Sequence, residues 1–299
     1  MAIKDGIIRV SKVQAIGFDS KFTQQISVSF VPFIDDTLER KCSYYVPEQF
    51  ELYLNYEKPA NLILNCDTQQ QLDYLIDCVS NIAVKVELLL KNTCFDLTCL
   101  ERLKVLKEIY LRSNSKVTKL WDVRQNKNLK YFSLVNYNRV ADFSCFENSS
   151  IECLQLFGCN HLSSFKSKLH IERFDFLLKM SKLRRLHIDI VKDNPDEYNL
   201  NILSQLQNLE KLYIPDTFFT FNQFAWLSSK LPNVKEGLAC YFHFEKDEDV
   251  GSDEFYSIIG KNTPKHLKNN QRAREYFQRY ETLIRQYKTR SDPPRDDEV

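Results

Sequence analysis

The sequence contains very little glycine: only six of its 299 residues, and none in a G-x-G or G-K-[ST] motif. Loops that hold phosphate groups with backbone amides need glycine at such spacing, so a nucleotide-binding loop of this kind is excluded. The chain also has no apolar run as long as a membrane-spanning helix. Its first residues show no apolar core followed by a small-residue cleavage pattern. These absences predict a cytoplasmic protein without a membrane partner.

Excess charge and clustered histidines are also missing. Lys and Arg number 41 against 40 Asp and Glu, so no global field favours nucleic acid or an anionic surface. The five histidines are scattered, and within the repeat phrases only His187 has an acidic neighbour at strand spacing, Asp189. An ion pair between strand neighbours is favoured over an acid–base dyad, because no nucleophile accompanies them. We therefore predict that the protein is not an enzyme and takes no cofactor or small-molecule substrate.

Cysteine is present in an odd number, nine, spread along the chain. Scattered cysteines in a cytoplasmic protein are typically reduced, which predicts free thiols. Cys94 and Cys99 are the closest pair, but neither a second pair nor a histidine accompanies them at ligand spacing. A tetrahedral metal site needs such a set, so none is predicted.

A nine-residue phrase occurs five times, with apolar residues at its first, fourth and sixth places. The phrases begin at residues 106, 129, 151, 183 and 209 and read LKEIYLRSN, LKYFSLVNY, IECLQLFGC, LRRLHIDIV and LEKLYIPDT. A single phrase cannot bury its own apolar side chains. Successive phrases must therefore stack on one another to form a core.

This pattern resembles the leucine-rich repeat, L-x-x-L-x-L-x-x-N/C. Asn114 and Cys159 occupy the ninth place as in that family, whereas Tyr137, Val191 and Thr217 depart from it. The resemblance implies an α/β solenoid: a right-handed horseshoe with a parallel sheet on its concave side and mixed helical and irregular segments on its convex side. The departures predict a less regular curve than a full asparagine ladder would give.

Counting backwards in steps of 23 residues extends the array towards the N-terminus. The two further units have the following residues at places one, four and six: Ala83, Val86 and Leu88, then Ala60, Ile63 and Asn65. Val234 begins a closing unit, so the solenoid is predicted to span residues 59–240. Helical spacing between the phrases occurs in QLDYLIDCV, IERFDFLLKM and FNQFAWLSSK, which predicts a helix over Ile171 to Met180, whereas VTKLWDVRQN allows about one turn.

The flanking segments are predicted to cap the array. Residues 1–58 contain the strand-like runs IIRV, QQISVSFVPF, CSYYV and FELYL, which predict an N-terminal β cap. Residues 241–290 contain an acidic run, EKDEDVGSDE, and then a basic amphipathic helix with Tyr276, Tyr280, Leu283 and Tyr287 at helical spacing. That helix is predicted to be the C-terminal cap, and residues 291–299 are predicted to be a disordered tail.

Family resemblance implies that side chains at places three, five and seven bind a partner on the concave face. Aromatic residues and arginine dominate binding energy in protein interfaces. The candidate partner-binding residues are Tyr110, Arg112, Tyr131, Phe157, Arg185, His187 and Tyr213. We predict a monomeric, non-catalytic module for a protein partner, acting as a scaffold, an adaptor, a recognition subunit or an immunity-type inhibitor. The alternative is a nucleic-acid-associated protein that uses the basic helix 265–290, against which the acidic run and the balanced total charge stand.

Overall fold

A computed structural model describes residues 7–16, 22–31, 42–158, 169–171, 173–191, 197–244 and 254–298. The chain is a mixed α/β protein whose strands are mostly parallel, with six α-helices in those residues. It divides into two units, Met1–His170 and Ile171–Val299, and the division falls inside the range 59–240 predicted as one array. Cys159, His161 and most of the acidic run lie outside the described residues.

The first unit is built around eight strands. They are β1 Ile7–Ile16, β2 Phe22–Val31, β3 Cys42–Tyr45, β4 Asn61–Cys66, β5 Lys85–Leu90, β6 Glu108–Arg112, β7 Tyr131–Val135 and β8 Cys153–Phe157. Their order is β8-β7-β6-β5-β4-β2-β1-β3. Strands β2 and β4 to β8 run parallel, whereas β1 is antiparallel to β2 and β3. The strands predicted before residue 46 thus extend the sheet of the repeats.

Parallel strands need a connection that crosses over the sheet. In this unit β4 and β5 are joined through helix α2 Gln69–Val79, which begins with a capping box between Thr68 and Gln71. The later crossovers contain only short 3₁₀ turns, Thr98–Arg102, Val123–Gln125 and Ser144–Phe146. The second of these lies in VTKLWDVRQN, where the sequence allows about one turn. Some connections are therefore helical and others irregular.

The apolar places of the phrases form the core. Fourteen of the fifteen side chains at places one, four and six are buried, and the exception, Ile214, is half-buried. Aromatic residues fill the space behind the strands: the ring of Phe132 lies 4.8 Å from that of Phe146 and 5.7 Å from that of Trp121. Burial of this apolar area is the main force that holds the repeats together.

One backbone interaction recurs between successive repeats. The carbonyl at place two accepts hydrogen bonds from the amides at places two and three of the next repeat. In the first unit these carbonyls belong to Ala60, Val84, Lys107 and Lys130, and in the second unit to Arg184. Repetition of this contact places each phrase in the same register relative to the one before it.

The register predicted for the earliest repeat is wrong by one residue. Leu62 pairs with Val86 and Leu64 with Leu88, so places one, four and six are Pro59, Leu62 and Leu64, not Ala60, Ile63 and Asn65. Both leucines are fully buried. A slip of one residue exchanges the two faces of a strand, because side chains alternate. Asn65 therefore lies on the opposite face, where its amide donates to the hydroxyl of Ser27.

Buried asparagines tie the loops to the repeats. Asn114 at place nine donates to the carbonyl of Cys94 at 2.7 Å and accepts from the amides of Lys116 and Val117. Asn126, which follows a 3₁₀ turn, donates to the carbonyls of Leu100 and Leu103 and accepts the indole N–H of Trp121 at 2.6 Å. Such bonds offset the cost of burying an amide. The repeat pattern predicts the first of these positions but not the second, which lies outside the nine-residue phrases.

The run FELYL is helical, contrary to the prediction of a strand. It lies within α1 Pro47–Glu57, which has proline at its first turn, a favourable position for that residue. Phe50 and Leu54 are buried on one side of this helix, whereas Leu52 and Tyr56 are exposed. Apolar residues at 50, 52 and 54 satisfy a period of two, but positions 50 and 54 also satisfy a helical period. The segment adopts the helix, with residues 50 and 54 on its buried side.

The second unit contains two further repeat strands, β9 Arg185–Asp189 and β10 Lys211–Tyr213, which pair in parallel. Its helices are α3 Asp175–Leu178, α4 Glu197–Ser204, α5 Phe221–Lys230 and α6 Asn270–Tyr287. The predicted helix over Ile171 to Met180 is thus only one turn. A single parallel bridge between Lys211 and Glu236 follows β10, at the predicted closing repeat. Strands β11 Tyr241–Phe244 and β12 Phe255–Ile258 form an antiparallel hairpin.

Helix α6 packs against α5 through the predicted apolar stripe. Tyr280 and Tyr287 are buried, and Tyr276 and Leu283 are half-buried. The hydroxyl of Tyr280 lies 2.8 Å from that of Ser228 and donates to the carbonyl of Leu238. The ring of Tyr280 lies 5.2 Å from the ring of Phe221, the first residue of α5.

The predicted disordered tail is instead anchored to α5 over residues 291–298. Glu298 forms a two-pronged ion pair with Arg290, at 2.6 and 2.8 Å. The side-chain amide of Gln223 donates to the carbonyl of Pro294 and to the carboxylate of Asp296. These bonds give the end of the chain a defined path along the helix.

Candidate binding face on the parallel strands

Side chains at places three, five and seven form one face of the strands in the first unit. On β6 this face carries Glu108, Tyr110 and Arg112, which alternate with the fully buried Ile109 and Leu111. Alternation follows from the pleat of a β-strand, in which successive side chains point to opposite sides. The candidate residues on this unit are thereby placed on a single surface.

Tyr110 lies at the centre of an aromatic and charged cluster. Its ring lies 4.8 Å from the ring of Tyr131, and the ammonium of Lys85 lies 4.9 Å from its centroid. Its hydroxyl donates to the carboxylate of Glu108 at 3.2 Å. Burial, the neighbouring Tyr131 and the Glu108 carboxylate all raise the pKa of Tyr110. The side chain is therefore a neutral hydrogen-bond donor held in one orientation.

Two of the predicted partner-binding residues, Tyr131 and Phe157, are buried. They are 6% and 4% exposed, respectively. Tyr131 is covered on one side by Tyr110, and its hydroxyl donates to Gln155 on the next strand at 2.6 Å. Phe157 lies beside Val135 in the register, and Val135 is also buried. These two aromatic rings therefore pack between neighbouring side chains of the face and expose little of their own surface.

The exposed part of this face lies on β5 and β6. We call Glu87, Leu89, Tyr110 and Arg112 the strand-face patch. Leu89 is 40% exposed and stands beside Arg112 in the register, and the guanidinium of Arg112 pairs with the carboxylate of Glu87 at 2.9 Å. Leu89 is not among the site residues predicted from the sequence. The run of three leucines at 88–90 indicates an outward-facing leucine, because side chains alternate along a strand and one of the three must point away from the core.

In the second unit the three remaining candidates, Arg185, His187 and Tyr213, are half-buried. The rings of His187 and Tyr213 lie 5.1 Å apart. The hydroxyl of Tyr213 donates to Glu236 at 2.6 Å, and this bond together with burial raises the pKa of Tyr213 to about 12. Glu236 also pairs with Lys211 at 2.6 Å. The structure thus joins His187 and Tyr213 in a polar aromatic cluster anchored on Glu236.

A groove also runs beside the three 3₁₀ turns of the first unit, with a volume of about 550 Å³. Asp96, Asp122 and Asp142 line it, and each accepts a hydrogen bond from the backbone amide two residues further on. These carboxylates therefore cap the turns. Within the described residues, no group of three or more His, Cys, Asp or Glu side chains is arranged to hold a metal ion.

Most of the described cysteines are shielded from solvent. Burial raises the pKa of the thiols of Cys99, Cys145 and Cys240 to about 12. It also raises the pKa of Cys66 well above its usual range. The thiolate is the reactive form of cysteine, so these side chains are poor nucleophiles near neutral pH.

We expect thiol titration in denaturant under anaerobic conditions to find nine free thiols. In the folded protein Cys99, Cys145 and Cys240 should react far more slowly, because a thiol with a pKa near 12 is ionised in only about one molecule in ten thousand at pH 8. Timed reaction with a chromogenic disulfide, with and without denaturant, measures both quantities. A total of seven or fewer would show disulfides and contradict the reduced state.

Comparison with models of known protein families finds no match, and comparison with curated proteins finds none either. Among the residues that the structure describes, none of the helices combines the length and apolar character needed to cross a membrane. Inference about function therefore depends on the geometry of the two units.

Proposed function

We propose that this chain is a cytoplasmic, non-catalytic protein of the leucine-rich repeat type, a solenoid with caps at both ends, and that it binds a protein partner through its strand face. The fold proposal is supported by the recurring place-two hydrogen bond and by burial of places one, four and six. Proteins of this architecture bind partners through side chains on the strands. A scaffold or an inhibitor that covers a partner's active surface would use the same face.

The observation that supports protein binding best is the exposed Leu89 beside Arg112. Leu89 stands on a strand whose neighbouring residues, Leu88 and Leu90, are buried, so its position is fixed by the core. Arginine is enriched among the residues that dominate binding energy in interfaces, and the exposed leucine beside it adds apolar area that a partner can bury. Little conformational entropy would be lost on binding, because the strand is already ordered.

Tyr110 and its contacts support this proposal further. The stack on Tyr131, the cation of Lys85 and the bond to Glu108 fix the ring before any partner arrives. Arg112 keeps 43% of its side chain exposed while paired with Glu87, whose side chain is 19% exposed. The guanidinium can therefore offer further N–H groups to a carboxylate or carbonyl of the partner.

The test is to truncate the patch without disturbing the fold. Leu89→Ala combined with Arg112→Ala should weaken binding at least about 30-fold, which corresponds to roughly 2 kcal/mol for central interface residues. Proteins captured from nuclease-treated lysate by the wild type, and lost by this variant, identify the partner. Titration calorimetry with that purified partner then gives the change in Kd.

The matched control is Leu52→Ala combined with Arg139→Ala in the same unit. Leu52 is 70% exposed on α1 and Arg139 is exposed in a loop, so the same residue types are removed outside the strand face. This control should keep wild-type affinity. Equal losses in the two double variants, or no loss in either, would refute the strand-face proposal.

A further inference from the structure

The β11–β12 hairpin carries a column of aromatic rings in contact with solvent. Phe244 and Phe255 stack with centroids 4.6 Å apart, and the ring of His266 lies 4.7 Å from that of Phe255. Phe244 is 47% exposed, and Phe242, two residues earlier on the same side of β11, is 39% exposed. We call Phe242, Phe244, Phe255 and His266 the ring column. Exposed rings in a cluster are unusual on a protein surface that binds nothing.

The opposite side of the hairpin carries Tyr241 and Tyr256 and contacts helix α6. The rings of Tyr241 and Tyr256 lie 5.3 Å apart, and the ring of Tyr241 lies 6.4 Å from that of Phe277 on α6. Phe277 is 46% exposed. Arg274 precedes Phe277 by three residues and therefore lies on the same side of the helix. The exposed ring of Phe277 thus borders a basic side of α6, and the ring column lies on the opposite side of the hairpin.

The structure sorts the cations of this region into two groups. Residues 254–290 contain nine Lys or Arg and three Glu, a net charge of +6. Lys261, Lys265 and Arg290 form ion pairs with carboxylates of the second unit. In the part of the chain that the structure describes, no carboxylate pairs with the other exposed cations of α6 and its end: Arg272, Arg274, Arg279, Arg285 and Lys288.

We propose that the hairpin and the exposed side of α6 bind single-stranded nucleic acid. Phosphate groups would neutralise these arginines, and unstacked bases would lie against Phe277 and, on the other side of the hairpin, against the ring column. A duplex would leave the rings without partners, because its bases are already stacked. The carboxylates of an acidic peptide would satisfy the arginines but offer no ring to stack on the column. The described part of the acidic run does not compete, since Glu254 is bonded to His243.

This activity is separate from the proposed protein-binding face and can be tested alone. The full chain is titrated into labelled oligouridine and oligothymidine of about 16 nucleotides, within the usual site size of such surfaces. Fluorescence anisotropy at about 50 and 200 mM salt gives the affinity. If three phosphates are neutralised, affinity should fall about 20-fold over this range. The two oligomers distinguish RNA from DNA as the ligand.

Two variants separate charge from stacking. Arg274→Gln combined with Arg285→Gln should reduce the salt effect to about threefold, because two phosphate contacts are lost. Phe244→Ala should weaken binding about tenfold while leaving the salt effect unchanged, because one base loses its stacking partner. Controls of matching type are Lys127→Gln with Arg139→Gln, and Tyr56→Ala, all at exposed positions of the first unit.

Several outcomes would overturn the proposal. Absence of binding at the lower salt concentration is one, and equal losses in the control variants are another. Equal affinity for a duplex of the same length would show that the rings are not used. Displacement of the oligomer by polyglutamate of equal charge would make an acidic peptide the ligand. Tighter binding to the single strand than to the duplex, with losses in both the arginine and the phenylalanine variants, supports the proposal.

Discussion

Replacement of Leu88 by alanine is expected to lower the free energy of unfolding by about 2–5 kcal/mol, the range for large-to-small changes in a core. Leu88 is fully buried on β5 and pairs with Leu64 and Leu111 on the adjacent strands. Truncation would leave a cavity between stacked repeats as well as removing apolar contact. The neighbouring Leu89→Ala change should cost at most about 1.5 kcal/mol, because no closed cavity forms at a partly exposed site.

Urea denaturation of the wild type and both single variants measures these costs. The two residues are adjacent, share one strand and undergo the same chemical change, so each controls for the other. Comparable slopes against urea would show that the unfolded states are equally exposed. Equal destabilisation by the two changes would mean that the assigned inward and outward faces of β5 are wrong.

The sequence was sufficient to predict the repeat strands wherever three apolar places recur. Phrases beginning at 106, 129, 151, 183 and 209 each contain a strand between places three and seven. In the earliest repeat the apolar residues do not define the register of the strand. Leu62, Ile63 and Leu64 are consecutive, so counting in steps of 23 could not distinguish Ile63 from its neighbours. Backbone pairing with β5 decides the register, and that pairing depends on the whole fold.

The solvent exposure of each side chain on the outer face could not be predicted from its place in the repeat alone. Tyr110 and Tyr131 both occupy outer places, yet one is half-buried and the other is buried. The difference arises because adjacent parallel strands bring their side chains into contact, so each ring covers its neighbour. Alternation predicts only which side a residue faces. Which part of that side reaches solvent depends on the neighbouring side chains.

At the C-terminus the composition of the chain does not predict its structure. Residues 291–299 are rich in proline and acidic residues, a composition typical of disorder. The ion pair between Arg290 and Glu298 and the bonds from Gln223 instead hold the described residues of this segment against α5. Specific pairing between side chains distant in sequence is invisible to composition, because it requires both partners to be placed by the fold.

The second large effect is expected at Gly260, which follows β12. Its φ of +111° lies in a region that side chains rarely adopt, and a β-carbon there would lie 2.6 Å from the backbone nitrogen of Phe221. Its amide donates to the carbonyl of Asp216, and its carbonyl accepts from the hydroxyl of Thr263. The turn therefore sits directly against the start of α5. Neither side of this contact is a flexible side chain that could move away.

Gly260→Ala should consequently lower the free energy of unfolding by about 3 kcal/mol or more, combining backbone strain with overpacking. The matched control is Asn262→Gly, in the same turn at a φ of 58°. Glycine adopts that conformation readily, so this change should cost less than about 1 kcal/mol. Fluorescence of Trp226 in a Trp121→Phe background reports unfolding of the second unit, because these are the two tryptophans of the chain. If Gly260→Ala were as stable as Asn262→Gly, the turn could not lie against Phe221 as described.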